Sequence, residues 1–225
     1  MKQRILILGG TKEATALARA LHAAGHAVTT SLAGRTKEPK PVSGTVRVGG
    51  FGGAEGLAGF LKDNAIDRLI DATHPFAEQI SRNAKAAAAA ANVPLEQRQR
   101  QPWKAQPGDR WQAVPDIAAA MQALPKNARV LLALGSQHIA PFALRRDVHF
   151  TVRMIDPPTT PLAFTNHTLV LARPSADPRE EEKLLQDNRI THIVCRNSGG
   201  TGAYAKIAAA RTLNLPVIMI ERINS

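Results

Sequence analysis

The stretch RILILGGTKEATALARALHAAG, residues 4–25, decides the fold. It opens with an apolar run that ends in Gly9, Gly10 and Thr11. From Lys12 the apolar positions Ala14, Leu17, Ala18 and Leu21 recur at i, i+3, i+4 and i+7, the spacing of one buried helix face. Gly25 then supplies a stop, since glycine takes the left-handed backbone that closes a helix. A strand, a glycine turn and a helix together build a phosphate site. The glycines admit backbone N–H groups to the phosphate, and the helix N-terminus adds partial positive charge. Gly9, Gly10 and Thr11 are therefore expected to bind a nucleotide. The full fingerprint has three glycines as GxGxxG. Here the last of them falls near Ala14, which still permits close helix–strand packing. The plain alternative is a tight turn with no ligand.

The next strand, HAVTTSLA, runs to Gly34-Arg35-Thr36-Lys37. An NAD-binding fold usually carries an acid at this strand end for the ribose 2′-hydroxyl. No Asp or Glu occurs between Ala14 and Lys37; Ser31, Arg35 and Thr36 stand there instead. A guanidinium beside hydroxyls suits a 2′-phosphate through charge-assisted hydrogen bonds. The residues thus point to NADP, with a solvated basic loop as the alternative.

The chain has 225 residues and a formal net charge of +11. That length can bury one large core or two small ones. Aromatic residues make up 4% and apolar residues 44%, which suits an alanine-rich α/β protein. Cys195 is the one cysteine, so no internal disulfide forms, as expected in a reducing cytoplasm. It lies in the apolar run THIVC and reads as a buried structural thiol. No stretch has the apolar length of a membrane helix. The basic balance implies a polyanionic partner. A basic tail, a helix-turn-helix and interleaved aromatics are all missing, which argues against nucleic acid. The scattered arginines and lysines fit a small, multiply carboxylated or phosphorylated substrate. The seven histidines show no HxH or HExxH spacing, so no metal site is expected.

Strand and helix patterns alternate along the chain. TVRVGG precedes Phe51-Gly52-Gly53 and a helix from Ala54 to Asn64; DRLIDAT precedes a helix expected to start at Pro75 and run to Ala91. VPLEQRQR reads as a strand. From Gln101 the texture changes, with Pro102, Trp103, Pro107, Gly108 and Trp111 close together. The boundary falls between Leu95 and Gln112, giving domains 1–100 and 101–225. The second half alternates again: RVLLALG, a short helix IAPFALR, HFTVRMI, a helix capped by Asp177, THIVCRNSGG, a helix GAYAKIAAARTLN and a last strand LPVIMIE. Such alternation makes βαβ units. The expected architecture is α/β: two Rossmann-like, doubly wound parallel-sheet domains facing a central cleft.

Three strand ends carry unusual residues. Asp71-Ala72-Thr73-His74-Pro75-Phe76 follows DRLI, Asp156-Pro157-Pro158 follows HFTVRMI, and Arg196-Asn197-Ser198-Gly199-Gly200-Thr201-Gly202 follows THIVC. The third is a glycine turn able to bind an anion. The plain alternatives are a helix cap for Thr73, a hydrogen-bonded structural role for His74 and a sharp turn for Gly199-Gly200. The segments ILILGGTKEATALA, SLAGRT, GGFGGAEGLAGFL, DATHPFAEQIS, Arg100 to Trp103, RMIDPP and RNSGGTGAYAKIAAARTLNLPVIMIER resemble the precorrin-6A reductase family of cobalamin (corrin) biosynthesis. Arg196 departs from the lysine expected there in many relatives. The resemblance implies NADPH-dependent reduction of one double bond of a polycarboxylate tetrapyrrole, in the cytoplasm, by a monomer or small homo-oligomer. A non-catalytic NADP-binding sensor and a different NADP-dependent reductase are the rivals. Cofactor contacts are expected from Gly9, Gly10, Thr11, Ser31, Arg35, Thr36, Gly52, Thr73, His74 and Pro75. Substrate contacts are expected from Phe76, Arg153, Arg196, Asn197, Ser198, Gly199, Gly200 and Lys206. No proton donor is assigned, His74 being a weak candidate.

Overall fold

The computed structural model describes residues 1–34 and 41–222. Two compact units divide the chain, Met1–Arg100 and Gln101–Ser225. In the first, the strands are β1 (Arg4–Leu8), β2 (Ala27–Leu32), β3 (Thr45–Val48), β4 (Arg68–Asp71) and β5 (Leu95–Gln97). The helices are α1 (Lys12–Ala23), α2 (Gly53–Asp63) and α3 (Glu78–Ala91). The sheet has five strands in the order β3-β2-β1-β4-β5, all parallel.

The sequence of β1 explains why helices cover both faces. Ile5 and Ile7 pack with Ala14 and Ala18 of α1. Leu6 and Leu8 pack with Leu57 and Leu61 of α2 and with Ala84 and Ala87 of α3. Alternate residues thus feed opposite layers, which is why the run is apolar throughout rather than alternating. The alanine tract of α3 lets that helix approach its neighbours closely.

The second unit holds β6 (Arg110–Val114), β7 (Arg129–Ala133), β8 (His149–Met154), β9 (His167–Leu171), β10 (His192–Arg196) and β11 (Pro216–Ile220). Its helices are α4 (Ile117–Gln122), α5 (Pro178–Asp187) and α6 (Ala205–Thr212). The six strands run β6-β11-β10-β7-β8-β9, again all parallel. Leu131, Ile193, Cys195, Val217 and Met219 form one face of its core with Leu185, Ile207, Ala209 and Ala210. The Cys195 thiol is buried against the Met219 sulfur at 3.6 Å, and burial pushes its pKa up. Asp177 caps α5 by accepting from the Arg179 N–H at 2.9 Å, as its sequence position predicts.

Three local expectations need correction. α3 starts at Glu78, not Pro75. The His74 carbonyl accepts from Ala77 N–H and its ring from Phe76 N–H, so these residues make a turn first. The segment expected as a short helix at Ile139–Arg145 is a 3₁₀ turn, Ala140–Leu144, with Phe142 N–H donating three residues back to Ile139 O. The glycine turn at Gly199-Gly200 does not lead straight into a helix. A further turn, closed by Tyr204 N–H to Thr201 O, precedes α6.

Candidate functional site

In open parallel sheets, ligands sit beyond the carboxyl ends of the strands, where the strand order reverses. In the first unit that point lies between β1 and β4. The residues following β1 are not equivalent. Gly9 donates its N–H to Ser31 O at 2.9 Å, and a Cβ there would stand 2.8 Å from the Thr30 methyl. Gly9 therefore lets β2 come close. Gly10 has φ +101°, and nothing lies within 4 Å of where its Cβ would be. Its lack of a side chain leaves the space over the turn open. The Thr11 hydroxyl accepts from Ala14 N–H at 3.0 Å and donates to Ala72 O at 2.8 Å. It caps α1 and ties the β1 turn to the β4 turn across the switch point.

Ser31 is buried near the end of β2, in register with Leu8 on one side and Arg47 on the other. The Arg47 guanidinium donates to Gly49 O (2.6 Å) and Gly50 O (2.8 Å) and stacks 4.0 Å over the Phe51 ring. It shapes the glycine loop that leads to α2. Gly52 begins that helix with φ +79° and open space at its Cβ. Arg35 and Thr36 lie outside the described residues.

At the end of β4, Asp71 is only 4% exposed. Its Oδ1 accepts from Thr73 N–H (3.1 Å) and Thr73 Oγ1 (2.6 Å), and its Oδ2 from Ser81 Oγ (2.5 Å). Thr73 is thus not a helix cap; it is part of an Asx turn. The His74 Nδ1 accepts from Phe76 N–H at 3.3 Å, which leaves the ring proton on Nε2 in the neutral form. The ring lies 5.9 Å from that of Phe76. Gly9, Gly10, Thr11, Ser31, Gly52, Thr73, His74, Pro75 and Phe76 therefore all gather at the carboxyl edge of one sheet.

In the second unit the strand order reverses between β7 and β10, and the Asn197–Gly200 turn follows β10. Asn197 is buried. Its Oδ1 accepts from Trp103 N–H at 2.7 Å; its Nδ2 donates to Trp103 O at 3.0 Å and to the Glu221 carboxylate at 3.1 Å. Arg222 donates to Asn197 O and Ser198 O, each at 2.9 Å. The Trp103 indole donates to Gly200 O at 2.7 Å. Gly199 has φ +64°, and a Cβ on it would fall 2.0 Å from Gln101 O. The turn is thus clamped by its carbonyls to residues 101–103 and to Arg222.

Arg153 and Lys206, expected as charge partners of a substrate, are both buried. Arg153 pairs with Glu181 at 2.7 Å, with 5% and 2% of the two side chains exposed. Lys206 donates to Ala203 O at 2.7 Å and stands 4.9 Å from the Trp103 ring centre. Burial lowers its pKa. These two cations are tied inside the unit, a use that sequence spacing does not reveal. Arg196 is half-buried at the end of β10. Sequence reading gave no role to Asp71, Ser81, Arg47, Trp103 or Arg222, although Asp71, Ser81, Trp103 and Arg222 lie in the segments quoted above. Asp71 had a local signal too, an Asp two residues before a Thr at a strand end. No group of three or more metal-ligating side chains occurs among the described residues, and no helix is long and apolar enough to cross a membrane.

Comparison with known proteins covers nearly the whole chain. Residues 4–225 match the family described as precorrin-6x reductase CbiJ/CobK. A precorrin-6A reductase of Rhodobacter capsulatus is 47% identical over 97% of this chain and 88% of its own length. One of Mycobacterium tuberculosis is 42% identical over 97% and 88%. A cobalt-precorrin-6A reductase of Synechocystis is 30% identical over the same shares. A solved CobK precorrin-6A reductase superposes with a TM-score of 0.96 at 47% identity, over 100% of this chain and 89% of that one. Two parallel α/β units, an open glycine turn at the first switch point and full-length likeness agree: the chain belongs to the precorrin-6x reductase CbiJ/CobK family.

Proposed function

We propose that this chain reduces one ring double bond of precorrin-6A, giving precorrin-6B, with NADPH as reductant in cobalamin biosynthesis. The observation that carries this reading is the open, left-handed Gly10 at the β1/β4 switch point, in a chain so close to the precorrin-6A reductases along its length. NADPH would supply the hydride. The Gly10-Thr11 turn would receive its pyrophosphate at the α1 N-terminus. Ser31, Arg35 and Thr36 would select the 2′-phosphate, Gly52 would leave room beside it, and Thr73-His74-Pro75 would carry the nicotinamide. The second unit would hold the macrocycle through Arg196 and the Asn197–Gly200 turn, its basic balance matched to the substrate's carboxylates. Relatives named for precorrin-6A are 42–47% identical, against 30% and 26% for two named for cobalt-precorrin-6A over 97% of this chain and 39% over 98 residues for a third. That gradient supports a metal-free substrate. Work in the cytoplasm as a monomer or small homo-oligomer completes the reading.

The direct test is NADPH oxidation, followed by absorbance, with precorrin-6A present and absent. Oxidation only in its presence supports the reading; tight NADPH binding without turnover would make the chain a sensor. Arg35→Ala should weaken NADPH binding by about 1–3 kcal/mol and leave NADH binding nearly unchanged. Equal weakening of both would remove Arg35 from the 2′-phosphate site.

A further inference from the structure

Asp71 has no part in the cofactor contacts assigned so far, yet it is one of the few buried charged groups of the first unit. Its three described partners are Thr73 N–H, Thr73 Oγ1 and Ser81 Oγ, all neutral donors. An ionised carboxylate accepts only, and three converging donors suit it. Hydrogen bonds from neutral groups hold such a charge without cancelling it, whereas a paired cation would. A charge in this shielded position acts strongly on its surroundings, because the effective dielectric there is far below that of water. Thr73, which makes two of the three bonds, opens the Thr73-His74-Pro75 segment.

We infer that Asp71 places a negative charge beneath the Thr73-His74-Pro75 turn and thereby favours the oxidised, cationic nicotinamide over the neutral reduced one. The inference rests on the proposed placement of the nicotinamide at that turn. NADPH held at that turn would supply a hydride that forms a C–H bond on the macrocycle, its own ring would be left a cation, and one proton, from solvent or a side chain, would complete the reduction. An anion fixed beforehand beside the turn stabilises that developing positive charge without reorganising. Ser81, in the first turn of α3, donates to the carboxylate without adding to or cancelling its charge.

The test is a ratio of affinities measured by binding titration, with no turnover needed. Wild type and Asp71→Asn are each titrated with NADP⁺ and NADPH. The amide keeps the size of the side chain and can still accept from Thr73. Asp71→Asn is expected to weaken NADP⁺ about tenfold more than NADPH. Equal weakening, or no change, overturns the inference by giving Asp71 a purely structural role. Ser81→Ala keeps the charge and should hold the ratio within about twofold of wild type; a shift as large as that of Asp71→Asn also overturns it. If Asp71→Asn does not fold by circular dichroism, Ser81→Lys, which pairs the carboxylate with a cation, should produce the same drop in the ratio, and an unchanged ratio overturns the inference. Failure of wild type to bind either nucleotide defeats the cofactor reading itself, a result distinct from all of these.

Discussion

Gly10 and Gly199 both take left-handed backbone at the end of a parallel strand, and both precede a helix. Around Gly10 the space for a side chain is empty, while around Gly199 it is filled by the Gln101 carbonyl at 2.0 Å. The first turn leaves the place of a side chain open, the space proposed above for a pyrophosphate. The second keeps its glycine for its own chain. The charges follow the same division. In the second unit Arg153 is bonded to Glu181, and Lys206 to the Ala203 carbonyl. In the first, buried Asp71 is held by hydroxyls and an N–H. A motif that looks alike in sequence is therefore open in one unit and packed against its own chain in the other.

The largest effect is expected where the second unit's internal pairing is broken. Glu181→Ala leaves the Arg153 guanidinium buried without its carboxylate and should cost about 3–5 kcal/mol, read by urea denaturation. Glu181 also accepts from Ser175 N–H at 2.9 Å, so the loss reaches the segment before α5. A cost below about 1 kcal/mol would mean that water reaches Arg153 and that the pair is ordinary surface chemistry.

Gly199→Ala comes next. The added methyl meets a backbone carbonyl, and the residue must hold positive φ, so about 3 kcal/mol of stability should be lost. Gly10→Ala meets no atom and should cost only about 1–2 kcal/mol through its backbone strain. NADPH binding should respond in the opposite order. It should fall steeply for Gly10→Ala and be lost for Gly10→Val, with both proteins folded, and stay near wild type in whatever fraction of Gly199→Ala remains folded. Binding and stability changing in parallel for the two glycines would erase the distinction between an open and a clamped turn.

How much of this was legible depended on the range of the interaction. The strand–turn–helix from Arg4 to Gly25 could be read because its apolar period, cap and glycine are neighbours in sequence. So could the alternation that makes two parallel α/β units. The roles of Gly9 and Gly10 could not be told apart, because what separates them is Thr30, on another strand. Likewise Asn197 reads as a donor to a ligand, but Trp103 lies 94 residues away and takes both ends of its amide. Arg153 and Lys206 were legible as charge and not as buried charge. Strand ends can be located from local pattern; whether a residue there faces a ligand or its own fold depends on partners far along the chain.

The smallest effect, at Lys206, tests the same point through pH. Burial is the main cause that lowers its pKa below the ordinary lysine value of 10.5; the Arg153 charge lowers it too, while Cys195 and Glu181 oppose. In the window between the lowered value and 10.5 the unfolded chain binds more protons at this site than the folded one does. Stability therefore rises with pH there and falls again as pH drops back through the folded value. Lys206→Met keeps the length of the side chain and its contact with the Trp103 ring but removes the titration. The substitution should flatten the rise seen for wild type between neutral and alkaline pH. At neutral pH it should change stability by only about 1 kcal/mol, because the Ala203 carbonyl loses its donor while an ammonium is no longer desolvated. Denaturation midpoints of both proteins across that pH range make the check. If the two curves run parallel, Lys206 is not the buried cation described above, and it returns to the set of groups that can meet a substrate.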